Sequence, residues 1–325
     1  MFRREFLKAL AVAAAAPVSS GMAFAAKVDA SARKGLAVWT PAEFHAARRF
    51  AELPQGRIAY VERGSGPVAL FLHGYPLNGY QWRAPLAELA GERRCLAPDL
   101  MGLGYSDVAA DADLSPFAQT AMLIALLDHL RIDQADIVAN DSSTGIAQLM
   151  AAQHPQRVRS LLLTNGDVDT NSPPEKLMPF LEQARRGEAV LWFDRHVADY
   201  AFARSRNGIG NAYHDPQRVL TDQLIETYFR PLVAPGKRRR QGEEFGLDMF
   251  PNPLPAVREQ LRAFDKPVRM VWGRDDDLFP VEWAHWLDRT FPGSRGIRFV
   301  DRARLFFPEE YPDIIVEEAR RLWQA

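Results

Sequence analysis

The segment Val138-Ala139-Asn140-Asp141-Ser142-Ser143-Thr144-Gly145 sets a carboxylate and three hydroxyls where an apolar strand gives way at once to a helix. A residue on so tight a turn stands above the sheet edge in a strained backbone conformation. Such a turn needs small residues two positions either side, and Ala139 and Ser143 supply them around Asp141. The Ser142 N–H, at the helix N-terminus, then points where a reacting oxyanion would sit. Centring the turn on Ser143 instead would place Asp141 where a small residue is usual. In the plainest reading, Asp141 only N-caps the helix.

A second segment, Leu72-His73-Gly74-Tyr75-Pro76, directly follows the apolar run Val68–Leu72. There the Tyr75 N–H can complete an oxyanion hole opposite Ser142. His73, with Gly74 and Pro76, belongs to that loop. His73 either braces it through hydrogen bonds or takes part in chemistry itself.

These residues need a scaffold, and the hydrophobic pattern predicts one. Val68–Leu72, residues 95–97, 137–139, 158–164 and 268–272 are short apolar runs, as expected of strands buried on both faces. Helical spacing occupies 80–89, 116–130, 281–290 and 309–323, with Ser115-Pro116 as N-cap and first turn. Strand and helix alternate, which predicts an α/β fold with a mostly parallel, doubly wound sheet. Residues 171–255 break the alternation. They are helical, aromatic-rich and punctuated by Pro and Gly, and predict an inserted helical cap between core segments 26–170 and 256–325. Residues 27–55 read as a leader without chemistry. Lys237-Arg-Arg-Arg240 reads as a solvated face.

The chain has 325 residues, 47% hydrophobic and 25% charged, with 40 basic and 41 acidic side chains. That composition is globular, and nothing in its charge balance favours nucleic acid or an anionic membrane as a partner. The one cysteine, Cys95, excludes an internal disulfide and a cysteine-built zinc site. No cofactor or metal is called for. Residues 1–25 read as an export address: a basic start with Arg3-Arg4, an apolar run over Ala9–Val18, and small residues at Ala23-Phe24-Ala25, leaving Ala26 as the new N-terminus. The run is far short of the about 20 residues of a membrane span. Arg-Arg-x-Phe-Leu-Lys resembles a twin-arginine signal, which implies the twin-arginine machinery as a transient partner and a periplasmic or secreted destination.

Four motifs in order resemble the α/β-hydrolase superfamily over residues 55–325: His73-Gly74-Tyr75-Pro76, then Asp99 to Asp107, then Asn140-Asp141-Ser142, then Trp272 to Pro280. An aspartate at the turn is similar to the haloalkane dehalogenase and epoxide hydrolase branch, whose carboxylate attacks carbon and forms an ester that water then hydrolyses. The resemblance implies Asp141 as nucleophile, ionised near neutral pH and needing no base, and Asp276 as the acid that would orient a histidine. Asp167 is the alternative acid position. Asp275 and Asp277 are then solvated loop carboxylates.

Two departures stand out. Leu305 occupies the position of the family histidine, so a base would have to come from the cap, from His196 or His214; His285 packs or faces solvent. Ser142 stands where dehalogenases carry a halide-binding Trp. Trp192 in the cap could replace that donor, and Tyr200, Tyr213 and Tyr228 are the cap tyrosines that could act as epoxide acids. Three functions follow: a hydrolase of small apolar substrates with an aspartate nucleophile, a binding protein derived from such an enzyme, or an ester or lactone hydrolase.

Overall fold

Val68–Leu72 is buried at every position, and so is Ala135–Asp141, because both lie inside a sheet covered on its two faces. The computed structural model describes residues 36–324. The expected export segment 1–25 and the cleavage point before Ala26 lie outside the described residues. The strands are β1 (Arg49–Leu53), β2 (Gly56–Arg63), β3 (Val68–Leu72), β4 (Arg94–Pro98), β5 (Asp107–Val108), β6 (Ala135–Asp141), β7 (Val158–Gly166), β8 (Val268–Gly273) and β9 (Ser294–Val300). They form one sheet in the order β1-β2-β4-β3-β6-β7-β8-β9, with β5 on β2. From β4 to β9 every pairing is parallel, while β1, β2 and β5 pair antiparallel at one edge.

The parallel sheet and its alternating helices are as expected from the pattern. Ser115 caps the helix Pro116–His129 by accepting the Ala118 N–H at 3.3 Å. That helix packs on Ser142–Gln153, and Arg83–Leu89 packs on Pro312–Trp323. The leader ends earlier than expected. Arg49–Leu53 is a strand, which sequence reading missed because only Ala51 in it is buried and an edge strand carries no apolar run. The last helix is also split at Tyr311, which separates Phe307–Glu310 from Pro312–Trp323. Among the described residues no helix is long and apolar enough to cross a membrane.

Between β7 and β8 the chain forms helices, chiefly Met178–Arg185, Ala189–Ala198, Asp222–Phe229 and Lys237–Leu247. They lie over the C-terminal ends of the central strands and are tied to the core at two places. On one side Tyr75 Oη donates to the Gly242 carbonyl at 2.8 Å, and Gln241 Nε2 to the Ala109 carbonyl at 2.7 Å. On the other, the buried Glu309 pairs with Arg83 and accepts from the hydroxyls of Tyr213 and Tyr228. Glu310 beside it accepts the N–H groups of His214 and Asp215 at 2.9 and 2.8 Å.

Removing Glu309 would leave Arg83 buried without its partner and both tyrosine hydroxyls unpaired. Glu309→Ala is expected to cost about 3–5 kcal/mol, and Tyr228→Phe about 1 kcal/mol. Urea unfolding monitored by tryptophan fluorescence checks both, and an equal small loss for the two would show that no clamp exists.

Candidate active site

β6 delivers Asp141 to the sheet edge with φ +59° and ψ −129°, a conformation that L residues rarely adopt. Close backbone approach enforces it. The Asp141 carbonyl accepts the Asp167 N–H at 3.2 Å, and a Cβ on Gly166 would lie 2.1 Å from that same oxygen. A Cβ on Gly74 would lie 2.6 Å from Asp141 Cβ. Only glycines fit on either side of this turn.

The Asp141 side chain does not act as a helix cap. Its Oδ2 accepts the Tyr75 N–H at 2.7 Å, and the Ser142 N–H binds the same carboxyl. The two N–H groups therefore converge, and the Asp141 carboxylate lies between them. Ser143 is turned away, its Oγ donating to the His73 carbonyl at 2.5 Å, so the turn is not centred on it. His73 is fully buried and neutral. Its Nδ1 donates to the Gly74 carbonyl at 2.9 Å and its Nε2 accepts the Leu100 N–H at 3.0 Å, which braces the loop. Burial lowers its basicity further.

Above Asp141 lies a cavity of about 220 Å³ between core and cap. Its walls include Phe180, Trp192, Ile209, Met249, Leu305 and Phe306, and its floor carries Asp141, Ser142, Asp167 and Asp276. Three floor groups keep a buried polar atom without a partner: Ser142 Oγ, Asp167 Oδ1 and Asp276 Oδ2. Buried atoms are rarely left so, and such atoms facing a cavity mark where a ligand or water would bind. Asp276 Oδ1 accepts the N–H groups of Leu278 and Phe279 at 2.9 and 3.4 Å. Asp276 and Leu305 border the same cavity, and the Leu305 carbonyl accepts from Asn140 Nδ2 at 3.0 Å.

Burial raises the Asp141 carboxyl to about 7; the Tyr75 and Ser142 N–H groups oppose the rise and Asp276 adds to it. The expectation of an ordinary, fully ionised aspartate is thereby corrected. Burial likewise raises Asp276 to about 7, against its backbone N–H donors, and holds Asp167 well above the usual carboxylate range, with the charge of Asp141 adding to the effect.

Several expected donors and bases do other work. No histidine borders the cavity among the described residues. His196 Nδ1 donates to the Trp192 carbonyl at 2.7 Å, its Nε2 accepts the Ile209 N–H at 2.9 Å, and burial lowers it to about 4. His214 sits beside Asp275 and Arg302, and His285 packs on Phe299. Trp192 Nε1 donates to the Asn207 carbonyl at 2.9 Å, so its indole is a wall and not a halide donor. Tyr200 bonds Glu226, and Tyr213 and Tyr228 bond Glu309, so no cap tyrosine offers its hydroxyl to the cavity. Asp277 is not simply solvated, because it pairs with Arg304 at the cavity rim. Lys176 and Arg206 of the cap also border the cavity. Sequence reading missed them because cap helices carry no motif that says which face turns inward.

The family described as alpha/beta hydrolase fold matches residues 67–311. A haloalkane dehalogenase of Mesorhizobium japonicum is 40% identical over 274 residues, which is 82% of this chain and 77% of that protein. Epoxide hydrolase 1 of Caenorhabditis elegans is 35% identical over 291 residues, 84% of this chain and 69% of that protein. Among solved structures, the epoxide hydrolase CorEH superposes with a TM-score of 0.72 at 20% identity, over 85% of this chain and 98% of that one, and this likeness concerns the fold.

The raised carboxyls make a stability prediction. An acid whose folded pKa lies above its unfolded one favours folding fully only below the unfolded value near 4, and that contribution is lost as pH rises through about 7. Asp276→Asn is therefore expected to stabilise the protein at about pH 8, by on the order of 2–4 kcal/mol, with the gain vanishing toward about pH 4. Thermal melts across that range check it, and a pH-independent difference would contradict it.

Proposed function

This chain belongs to the α/β hydrolase fold family, and from that premise we propose that it is a hydrolase acting on small apolar electrophiles with Asp141 as nucleophile. The observation that carries this reading is the Tyr75 N–H on Asp141 Oδ2 at 2.7 Å, with the Ser142 N–H on the same carboxyl and the cavity above. When the other carboxylate oxygen attacks carbon, Asp141 becomes an ester and Oδ2 stays its carbonyl oxygen. Water adding to that ester develops negative charge on Oδ2, where two N–H donors already point. The same arrangement speaks against an ester or lactone hydrolase with a serine nucleophile. The hole that would hold a substrate carbonyl is filled by the protein's own carboxylate, and Ser143 is hydrogen-bonded away from it.

The two half-reactions are unequally equipped. Attack needs only the ionised Asp141. Hydrolysis of the ester is helped by a base that activates water, worth about 10²–10⁴-fold in rate, and Leu305 stands where the resembled enzymes carry that histidine. The ester is thus the species that accumulates. Incubation with n-hexyl iodide should add one hexyl group to Asp141, visible by intact-mass spectrometry and peptide mapping. Asp141→Asn should abolish it. Leu305→His should speed its loss at least tenfold, since the free Oδ2 of Asp276 can then orient the new imidazole. No adduct and no turnover with this or other small electrophiles would favour the binding-protein reading.

We also propose export through the twin-arginine route, on the strength of the residue 1–25 pattern. Protein recovered from the periplasm should begin near Ala26, and Lys-Lys at Arg3-Arg4 should hold it in the cytoplasm. An intact Met1 on exported protein would reject this.

A further inference from the structure

Asp167 follows the last residue of β7 and lies beside the turn that carries Asp141. Asp141 pairs in register with Gly166, and the Asp167 N–H donates to the Asp141 carbonyl. The Asp167 side chain is 2% exposed. The Ser172 hydroxyl bonds its carboxyl, while its Oδ1 has no partner and the residue borders the cavity with Asp141 and Ser142. A second bare carboxylate buried beside the first is costly, and retaining a proton removes the cost. The other ionisable groups bordering this cavity are Tyr75, Asp141, Lys176, Arg206, Asp276 and Asp277. Asp277 is taken up by Arg304, and Tyr75 Oη by the Gly242 carbonyl.

The leaving group sets a requirement that few residues can meet. The N–H groups of Tyr75 and Ser142 are spent on Asp141, the Trp192 indole on Asn207, and the cap tyrosines on glutamates. The Ser142 hydroxyl can donate a hydrogen bond but is a far weaker general acid than a carboxyl. Of the two carboxyls left, Asp276 accepts two backbone N–H groups, which favours its charged form, whereas Asp167 accepts none.

We infer that Asp167 is a further catalytic residue, the proton carrier for Asp141, and that the substrate class is small apolar compounds whose leaving atom is an oxygen, such as a strained cyclic ether. This rests on the nucleophile reading of Asp141. As an Asp141 oxygen bonds to carbon and the carbon–oxygen bond of the ring breaks, the Asp167 proton passes to the departing oxygen. The products are an Asp141 hydroxyalkyl ester and an Asp167 carboxylate. No imidazole among the described residues assists the second half, so the ester persists, and in its slow hydrolysis that carboxylate takes a proton from the water that adds to the ester carbonyl. It returns the proton to the alcohol oxygen as the ester bond breaks, and regains one from the Asp141 acid so released. Ring plus water gives a diol, and both aspartates end as they began. A halide leaves without a proton, so it makes no use of this group.

The test compares hexene oxide with n-hexyl iodide by the rate of adduct formation on wild type and Asp167→Asn. The expected result is an adduct with both probes on wild type. Asp167→Asn should slow the epoxide by about 10²–10⁴-fold and leave the iodide within about threefold. The epoxide rate on wild type should also fall at high pH as Asp167 loses its proton, while the iodide rate only rises through the titration of Asp141. Asp167→Glu, which keeps the carboxyl, should restore part of the epoxide rate. Equal slowing of both probes, slowing of neither, or a selective epoxide loss in Asp276→Asn instead would overturn the assignment. A wild type alkylated by the iodide alone would also overturn it, yet leave Asp141 as nucleophile. A wild type alkylated by neither would reject the nucleophile reading itself.

Discussion

One buried amide, Asn140, holds the reacting end of the sheet together. Its Nδ2 lies within hydrogen-bonding distance of Thr164 Oγ1 at 2.8 Å, the Leu305 carbonyl at 3.0 Å and the Asn165 carbonyl at 3.1 Å. Its Oδ1 accepts from Gln81 Nε2 at 2.6 Å, and Gln81 Oε1 accepts the Gly74 N–H at 2.9 Å. Four separate segments meet there: the loop after β3, the end of β6, the end of β7 and the loop after β9. In a water-free interior each unmade bond of such a network costs about 1–3 kcal/mol, so the segments have one common arrangement. The strained Asp141 backbone is affordable only because that arrangement over-determines it.

The cavity floor inherits its electrostatics from this framework. Parallel strands end together, so the ends of β6, β7 and β8 crowd into one small volume, and each brings an aspartate there: Asp141 ends β6, Asp167 directly follows β7, and Asp276 stands in the loop after β8. With apolar walls above them and no imidazole among them, burial becomes the largest influence on each carboxyl. Two are brought part of the way back by backbone N–H donors. Asp167 has only the Ser172 hydroxyl. One of three chemically identical groups, Asp167, thus holds its proton more tightly than the other two because its hydrogen-bond partners differ.

The cap uses its polar residues to hold itself in place. His196 is gripped by two backbone groups and lies stacked on Phe229 at 4.0 Å. Tyr213 and Tyr228 close on Glu309, which follows Leu305 by four residues. The segment after β9 therefore anchors the cap while presenting an apolar side chain to the cavity, and what reaches the cavity from the cap is mostly aromatic and aliphatic.

The alternating runs of Val, Leu, Ile and Ala determined the parallel sheet by themselves, because a strand buried on both faces must be apolar throughout. The turn at Asp141 was also legible, since a tight strand-to-helix turn restricts its neighbours to small residues and orients the N–H that follows. The first strand was not, because an edge strand with one buried residue leaves no periodic trace. Nor could spacing show which of Asp167, Asp275, Asp276 and Asp277 share the cavity with Asp141, or that His196, Tyr213 and Tyr228 are turned to structural bonds. Those facts depend on which helix faces close against which strand ends, and on how much water remains between them. Tertiary packing alone raised the proton affinity of the three aspartates, because proton affinity follows from burial and from partners distant in the chain.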